Sequence, residues 1–286
     1  MKLLVFGRTG QVARALALAG PARGIAVQCL DRAAADLADP AACAAAVGAT
    51  DADAVVNAAA WTGVDAAETQ EAAARVINAE APGAMARACV ARGLPFVQIS
   101  TDYVFDGSGT RPWAPDDATA PLGAYGRTKL AGERAVLESG ARAVILRTSW
   151  VFDGTGRNFA TTMLRLSDTR DVLSVVADQI GGPTPARAIA EACLTIAQAL
   201  AEERGQAGIH HFSGAPDVSW ADFARAIFDI AGRDVAVTDI TTDQYPTPAA
   251  RPANSRLDCA SLKIAFGIDR PDWRAALHDI IRETNS

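Results

Sequence analysis

A tyrosine and a lysine four positions apart, Tyr125 and Lys129, open a helix-forming run at residues 127–137. At that spacing both side chains leave the same helix face, one turn apart. A phenol titrates near pH ~10 and exchanges protons slowly at neutral pH. An ammonium held beside it favours the phenolate and lowers that pKa, which suits the pair to general acid–base work. Upstream, Ser100-Thr101-Asp102-Tyr103 leaves the end of an apolar run at residues 95–99. A hydroxyl at that point can hydrogen-bond a substrate carbonyl.

Both features need a scaffold that brings them together, and the chain supplies one. Residues 3–6 are an unbroken apolar run, as expected of a parallel strand covered on both faces. Gly7-Arg8-Thr9-Gly10-Gln11-Val12-Ala13 follows, then an alanine- and leucine-rich helix. Strand, glycine turn and helix make the phosphate-cradling element of dinucleotide folds. Gly7 permits the tight turn, and Gly10 lets the backbone approach a pyrophosphate held by the helix N-terminus. The second strand, residues 25–30, ends at Asp31, where an acid binds the ribose hydroxyls of NAD. Arg32 is adjacent and Arg8 lies in the glycine turn. Either guanidinium can meet a 2′-phosphate, so both NADH and NADPH stay open. Asp36-Leu37 is placed to lie over the adenine.

The third strand, 54–57, runs into Ala58-Ala59-Ala60-Trp61-Thr62, whose small residues let a cofactor lie close to backbone. A helical stretch is expected over 66–91, broken near Pro82. Asn78 within it reads as a backbone brace near the site or as a satisfied core polar group. Residues 112–121 are a loop returning the chain to Tyr125, and 144–146 is the fifth strand. In an open parallel sheet ligands bind at the carboxyl ends of such strands. Together these features describe a nicotinamide-dependent reductase.

Beyond residue 151 the alternation of strands and helices weakens. Helices are expected at 159–166, 186–203, 220–230, 259–266 and 272–283, with strands near 172–175 and 209–212. The fold class is therefore α/β: a Rossmann-type doubly wound parallel sheet with a smaller mixed α/β C-terminal substrate-binding part. The cofactor-binding domain is set at 1–151. The substrate part, 152–286, is interleaved with it. Within that part Asn158, Arg251 and Arg256 are candidate donors to a diphosphate. Trp150 and Trp220 are candidate stacking surfaces or core.

Half of the 286 residues are hydrophobic and the net charge is −6, which excludes a disordered chain and offers no basic block for nucleic acid. Five cysteines, at 29, 43, 89, 193 and 259, are scattered without a CxxC pair, as reduced thiols of a cytoplasmic protein would be. No apolar run approaches ~20 residues, so no membrane span is expected. The three histidines lack metal-ligand spacing, and no metal site is expected.

The blocks FGRTGQV, VVNAAAWT, STDYVFDG, APLGAYGRTKLAGE, RTSWVF, NFATTML, DQIGGPT and YPTPAARPANSRLD occur in order over nearly the whole chain. This combination resembles the extended short-chain dehydrogenase/reductase family, and the last blocks resemble its reductases of nucleotide-linked keto sugars. The resemblance implies NADPH- or NADH-dependent reduction of the 4-keto group of dTDP-4-dehydro-β-L-rhamnose to dTDP-β-L-rhamnose, a dTDP-sugar being the partner. It implies Thr101, Tyr125 and Lys129 as the catalytic trio. Gly10, Gln11, Val12, Asp31, Asp36, Leu37, Ala60, Trp61 and Thr62 match cofactor positions. Thr101, Asp102 and Trp150 match sugar contacts. Trp61 stands where many relatives carry histidine. Some members form metal-bridged dimers through carboxylates, but the corresponding positions here are Ala15 and Arg187. Magnesium therefore lacks its bridging ligands, and monomer and homodimer both stay open. The alternatives are an epimerase or dehydratase of a related nucleotide sugar, or a non-catalytic regulatory relative. A dehydratase would carry Asp-Glu after the threonine, where this chain has Asp102-Tyr103.

Overall fold

The computed structural model describes residues 1–284. Its N-terminal half alternates strand and helix: β1 (Lys2–Phe6), α1 (Gln11–Ala22), β2 (Ala26–Leu30), α2 (Pro40–Ala49), β3 (Ala54–Asn57), α3 (Val64–Ala67), α4 (Glu71–Arg75), α5 (Ala81–Arg92), β4 (Phe96–Thr101), α6 (Ala124–Glu138) and β5 (Ala143–Thr148). Then come β6 (Val151–Phe152), α7 (Phe159–Ser167), β7 (Val172–Val176), β8 (Ile180–Gly181), β9 (Thr184–Pro185), α8 (Ala186–Ala201), β10 (Gly208–His211), β11 (Val218–Ser219), α9 (Trp220–Ile230), β12 (Ala236–Ile240), β13 (Asn254–Ser255), α10 (Ala260–Phe266) and α11 (Trp273–Thr284).

Six strands form one parallel sheet in the order β10-β5-β4-β3-β1-β2. Its four inner strands bury both faces, which is why β1 and the start of β5 read as apolar runs, whereas the edge strand β2 has no buried residue. One face packs Leu3, Val5, Val97, Val144 and Leu146 against α1 and α8. The other packs Leu4, Phe6, Val55, Phe96 and Ile145 against α2, α5 and α6. The order reverses between β1 and β3, and their carboxyl ends open the crevice in which such sheets bind ligands.

The sheet takes its sixth strand, β10, and the covering helix α8 from residues beyond 151, so the chain returns to the first half after leaving it. The remaining C-terminal elements form their own core. Phe152, Met163, Leu173, Phe223, Phe228 and Trp273 pack α7, α9 and α11 against the β7–β12 pair.

Two local expectations are corrected. The helical stretch expected over 66–91 with a break near Pro82 is instead α3, then α4 running through a π-helical turn at Val76–Glu80 into α5. Pro82 does not break the path, because it sits in the first turn of α5, where a missing N–H matters least. β12 was not anticipated. It has no buried residue, and Thr238 and Asp239 are both exposed, so neither an apolar run nor a strict alternation marks it.

Candidate active site

Tyr125 lies in the first turn of α6. The helix start has no side-chain cap of its own. Glu68, just past α3, supplies one by accepting the Ala124 N–H at 2.8 Å. Two residues beyond the tyrosine, Arg127 makes a bidentate pair with Glu71 at 2.9 and 2.7 Å. Gly126 lets this turn settle on the preceding loop, since a Cβ there would stand 2.2 Å from the Tyr103 carbonyl. The Tyr103 and Tyr125 rings meet edge to face, 5.5 Å apart.

Burial pushes the Tyr125 phenol up to about 12; the Thr101 hydroxyl beside it acts downward and the Asp102 carboxylate upward. Lys129 is brought down to about 8, again by burial, with Glu133 opposing. Its ammonium donates to the Ile99 carbonyl at 2.7 Å. The expectation that Lys129 lowers the phenolic pKa is corrected. Burial dominates at the phenol, and the lysine charge is directed to the end of β4. The phenol therefore stays protonated at neutral pH, the state a proton donor needs.

Thr101 ends β4. Its hydroxyl donates to Asp102 Oδ1 at 3.0 Å and accepts from the Tyr103 N–H at 3.2 Å. Asp102 is 3% exposed, and burial raises its carboxyl to about 6. The Ser255 hydroxyl lies close enough to draw it back, yet Asp102 Oδ2 has no bonded partner among the described residues.

The glycine turn has the geometry of an anion cradle. Gly7 has φ +111°, and a Cβ on it would press within 3.4 Å of Ala58 and 3.3 Å of Ala13. Gly10 precedes α1 without a side-chain cap, so the first-turn amides of Gln11 and Val12 face outward for a ligand. Asp31 accepts from the Ala33 and Ala34 amides and from Arg8, each at 3.1 Å. The Ala34 amide above all holds its carboxyl below the usual range. Arg32 turns instead to Asp36, 3.9 Å away, and Leu37 is buried in the core. Ala60, Trp61 and Thr62 follow β3. Asn78 grips Trp61 at both backbone ends, accepting its N–H at 2.9 Å and donating to its carbonyl at 3.1 Å. The same amide donates to Thr128 on α6, so Asn78 is a brace between this loop and the Tyr–Lys helix. An uncapped helix start, a positive-φ glycine, a carboxylate at the end of β2 and a buried lysine at β4 fit a dinucleotide.

Past the end of β5, Trp150 takes a left-handed backbone, φ 49°, and stacks on Trp220 with centroids 3.5 Å apart. Backbone of this kind in a bulky residue concentrates at functional sites. Asn158, expected as a diphosphate donor, is engaged within the chain. It caps α7 through Thr161, and its N–H groups go to Gln11 and to the Asp153 and Thr155 carbonyls, on the cofactor side. Arg251 pairs with Asp65 at 2.9 Å and Arg256 with Asn254 at 3.0 Å. Asp65 and Glu68 were missed by sequence reasoning. Their only signal was a carboxylate every third residue, at 65, 68 and 71, which also reads as a solvated face.

Among the described residues no group of histidines, cysteines and acids is arranged to hold a metal ion. Arg187 instead lies 3.7 Å from Glu283. No helix among those residues is long and apolar enough to cross a membrane.

Comparison with known proteins gives consistent matches. A family model described as RmlD substrate binding domain matches residues 1–286. The chain is 43% identical to a dTDP-4-dehydrorhamnose reductase of Sinorhizobium fredii, over 98% of this chain and 97% of that one. A crystal structure of a dTDP-4-dehydrorhamnose reductase from Clostridium acetobutylicum superposes with a TM-score of 0.93 at 36% identity, covering 100% of both chains. One from Bacillus anthracis, in complex with NADP, gives 0.92 at 31% identity over 99% of both.

Proposed function

The chain belongs to the RmlD substrate-binding family, and we propose that it reduces the 4-keto group of dTDP-4-dehydro-β-L-rhamnose to give dTDP-β-L-rhamnose, using NADPH or NADH. The observation that carries this reading is the meeting of Thr101, Tyr125 and Lys129 at the carboxyl end of β4, beside a dinucleotide cradle. When bound, the nicotinamide supplies a hydride to C4 of the sugar. The chain's own residues handle the oxygen. Tyr125, kept protonated by burial, gives its proton to that oxygen as negative charge develops. Thr101, whose hydroxyl donates to Asp102, turns that donor toward the same oxygen. Lys129 holds the nicotinamide ribose, and Gly7, Gly10, Gln11 and Val12 hold the pyrophosphate. Asp31, Asp36 and Leu37 take the adenosine end. Asp102 and Trp150 bind the sugar, and Arg251 is released from Asp65 to meet the diphosphate.

Arg8 and Asp31 lie together at the adenosine ribose position, an arrangement that serves a 2′-hydroxyl through the acid and a 2′-phosphate through the arginine. A dehydratase is disfavoured because Tyr103, not a glutamate, follows Asp102 and packs on Tyr125. The test is loss of reduced-cofactor absorbance on adding the keto sugar, with NADPH and NADH supplied separately. Consumption that needs the sugar and yields dTDP-rhamnose supports the reading. A protein that binds either cofactor and consumes neither sinks it.

The lysine makes the pH dependence specific. A base whose folded pKa lies below its unfolded value is charged in the unfolded chain when already neutral in the fold. For Lys129 that window runs from about 8 to the model-peptide value of 10.5. Its burial therefore weakens the fold fully below about 8, and stability from this group rises across the window. Activity should move the other way. The kcat/KM of the free enzyme should fall on the alkaline side with a midpoint near 8, as the ammonium is lost, rather than near the phenol's value of about 12. A profile flat to pH ~10 would remove Lys129 from the mechanism.

A further inference from the structure

Among the described residues, Asp102 Oδ2 and Thr148 Oγ1 are the buried side-chain atoms without a hydrogen-bond partner. Unpaired buried polar atoms are rare because desolvation goes uncompensated, so each asks for a ligand. Thr148 is the last residue of β5, 5% exposed, and the register partner of Thr101. The pleat sends Thr101 and Thr148 to the same face as Val97, Val144 and Leu146, the face that carries α1 and α8. Ser100 and Arg147 point to the other face, where Glu133 on α6 receives both. The following residue, Ser149, commits its hydroxyl to the Gly182 carbonyl. Thr148 is left with a free hydroxyl at the sheet edge, on the side of the glycine turn.

The strand order says what should meet it. From β2 through β1, β3 and β4 to β5, the carboxyl ends present Asp31, the glycine turn, Ala60-Trp61-Thr62, Thr101 and then Thr148. In the reading above this sequence runs from the adenosine through the pyrophosphate to the nicotinamide ribose, and the next group along is the nicotinamide ring. Its carboxamide carries a donor NH2 and an acceptor oxygen, and a threonine hydroxyl can serve either. The ionised Asp102 is an acceptor only and suits a hydroxyl of the sugar. We propose that Thr148 is a cofactor-binding residue whose hydroxyl oxygen accepts from the nicotinamide carboxamide NH2 and so fixes which ring face meets the sugar. This rests on the reductase reading.

The test compares Thr148→Val and Thr148→Ser with the wild-type chain. Each is titrated, by fluorescence and without sugar, with NADPH and with its reduced 3-acetylpyridine analogue, in which the amide NH2 is a methyl group. Wild type should favour NADPH by about tenfold, the worth of one well-made hydrogen bond. Thr148→Val should bind the two alike, Thr148→Ser should restore the preference, and the KM for the keto sugar should not change. Equal binding of the two cofactors by wild type overturns the proposal whatever the variants do. So does a Thr148→Val chain that keeps the preference. Normal NADPH binding with a raised keto-sugar KM in that variant also overturns it, by giving the hydroxyl to the sugar. Turnover of the wild-type chain tests the reductase reading separately.

Discussion

Replacing Tyr125 by phenylalanine should lower kcat by about 10²–10⁴-fold while leaving cofactor affinity close to wild type. The ring's contacts explain why the fold should survive. Its edge-to-face packing on Tyr103 needs no hydroxyl, and the helix start is held by Glu68 and Glu71 rather than by the tyrosine. The hydroxyl itself has a chemical part. Burial holds it protonated, so it arrives at the reaction carrying the proton that the new alcohol needs. Steady-state kinetics at neutral pH, with cofactor binding measured separately, would check this. A phenylalanine variant with near-normal turnover would mean that the proton comes from elsewhere, Thr101 and Asp102 being the nearest source.

The second large effect concerns stability. Glu133 and Arg147 form an ion pair whose side chains are 1% and 2% exposed. Glu133 accepts from Arg147 at 2.9 and 2.7 Å and from Ser100 at 2.6 Å. Arg147 also donates to the Pro115 carbonyl at 3.2 Å and lies 3.4 Å from His211 Nε2. Burial keeps His211 neutral, with its pKa down to about 3. The Trp113 carbonyl can only accept, so Nδ1 donates to it and Nε2 is left to receive Arg147. One cation thus joins β4, β5, α6, β10 and the loop that leads to Tyr125. Removing its partner leaves it buried and uncompensated. Glu133→Ala should cost about 3–5 kcal/mol, on the order of 10 °C in Tm. A Glu133→Leu, Arg147→Met double variant removes both charges and should recover most of that loss, since an apolar replacement of a buried pair is often neutral or better. Chemical denaturation of the three chains reads the difference. Equal losses in the single and double variants would show that packing, not the charge, carries the effect.

How much of this was legible beforehand follows from sequence distance. Gly7, Gly10, Asp31, Tyr125 and Lys129 announce themselves because each belongs to a short motif whose geometry is local. The inner strands of the main sheet were readable for a similar reason, being largely apolar on both faces. What escaped is whatever depends on pairing across the chain. Residues 209–212 read as a strand, but nothing local says that it joins the far edge of the first sheet beside β5. Arg251 read as a candidate diphosphate donor, and nothing local says that it meets Asp65, 186 positions away. Asn158 looked like a ligand donor because a helix start with an amide is a good anion site. Its reach to Gln11, 147 positions back, shows only in the fold. The phenolic pKa was misread because a lysine at helical spacing says nothing about burial, and burial decides the direction.

Following the hydride itself tests the central claim most directly. The chain would be given dTDP-4-dehydro-L-rhamnose and reduced cofactor deuterated at the transferable position of the nicotinamide, and the product examined by proton and deuterium NMR. The account predicts dTDP-L-rhamnose with the label at C4 of the sugar and nowhere else. Label at another carbon, or oxidised cofactor without labelled sugar, would contradict it.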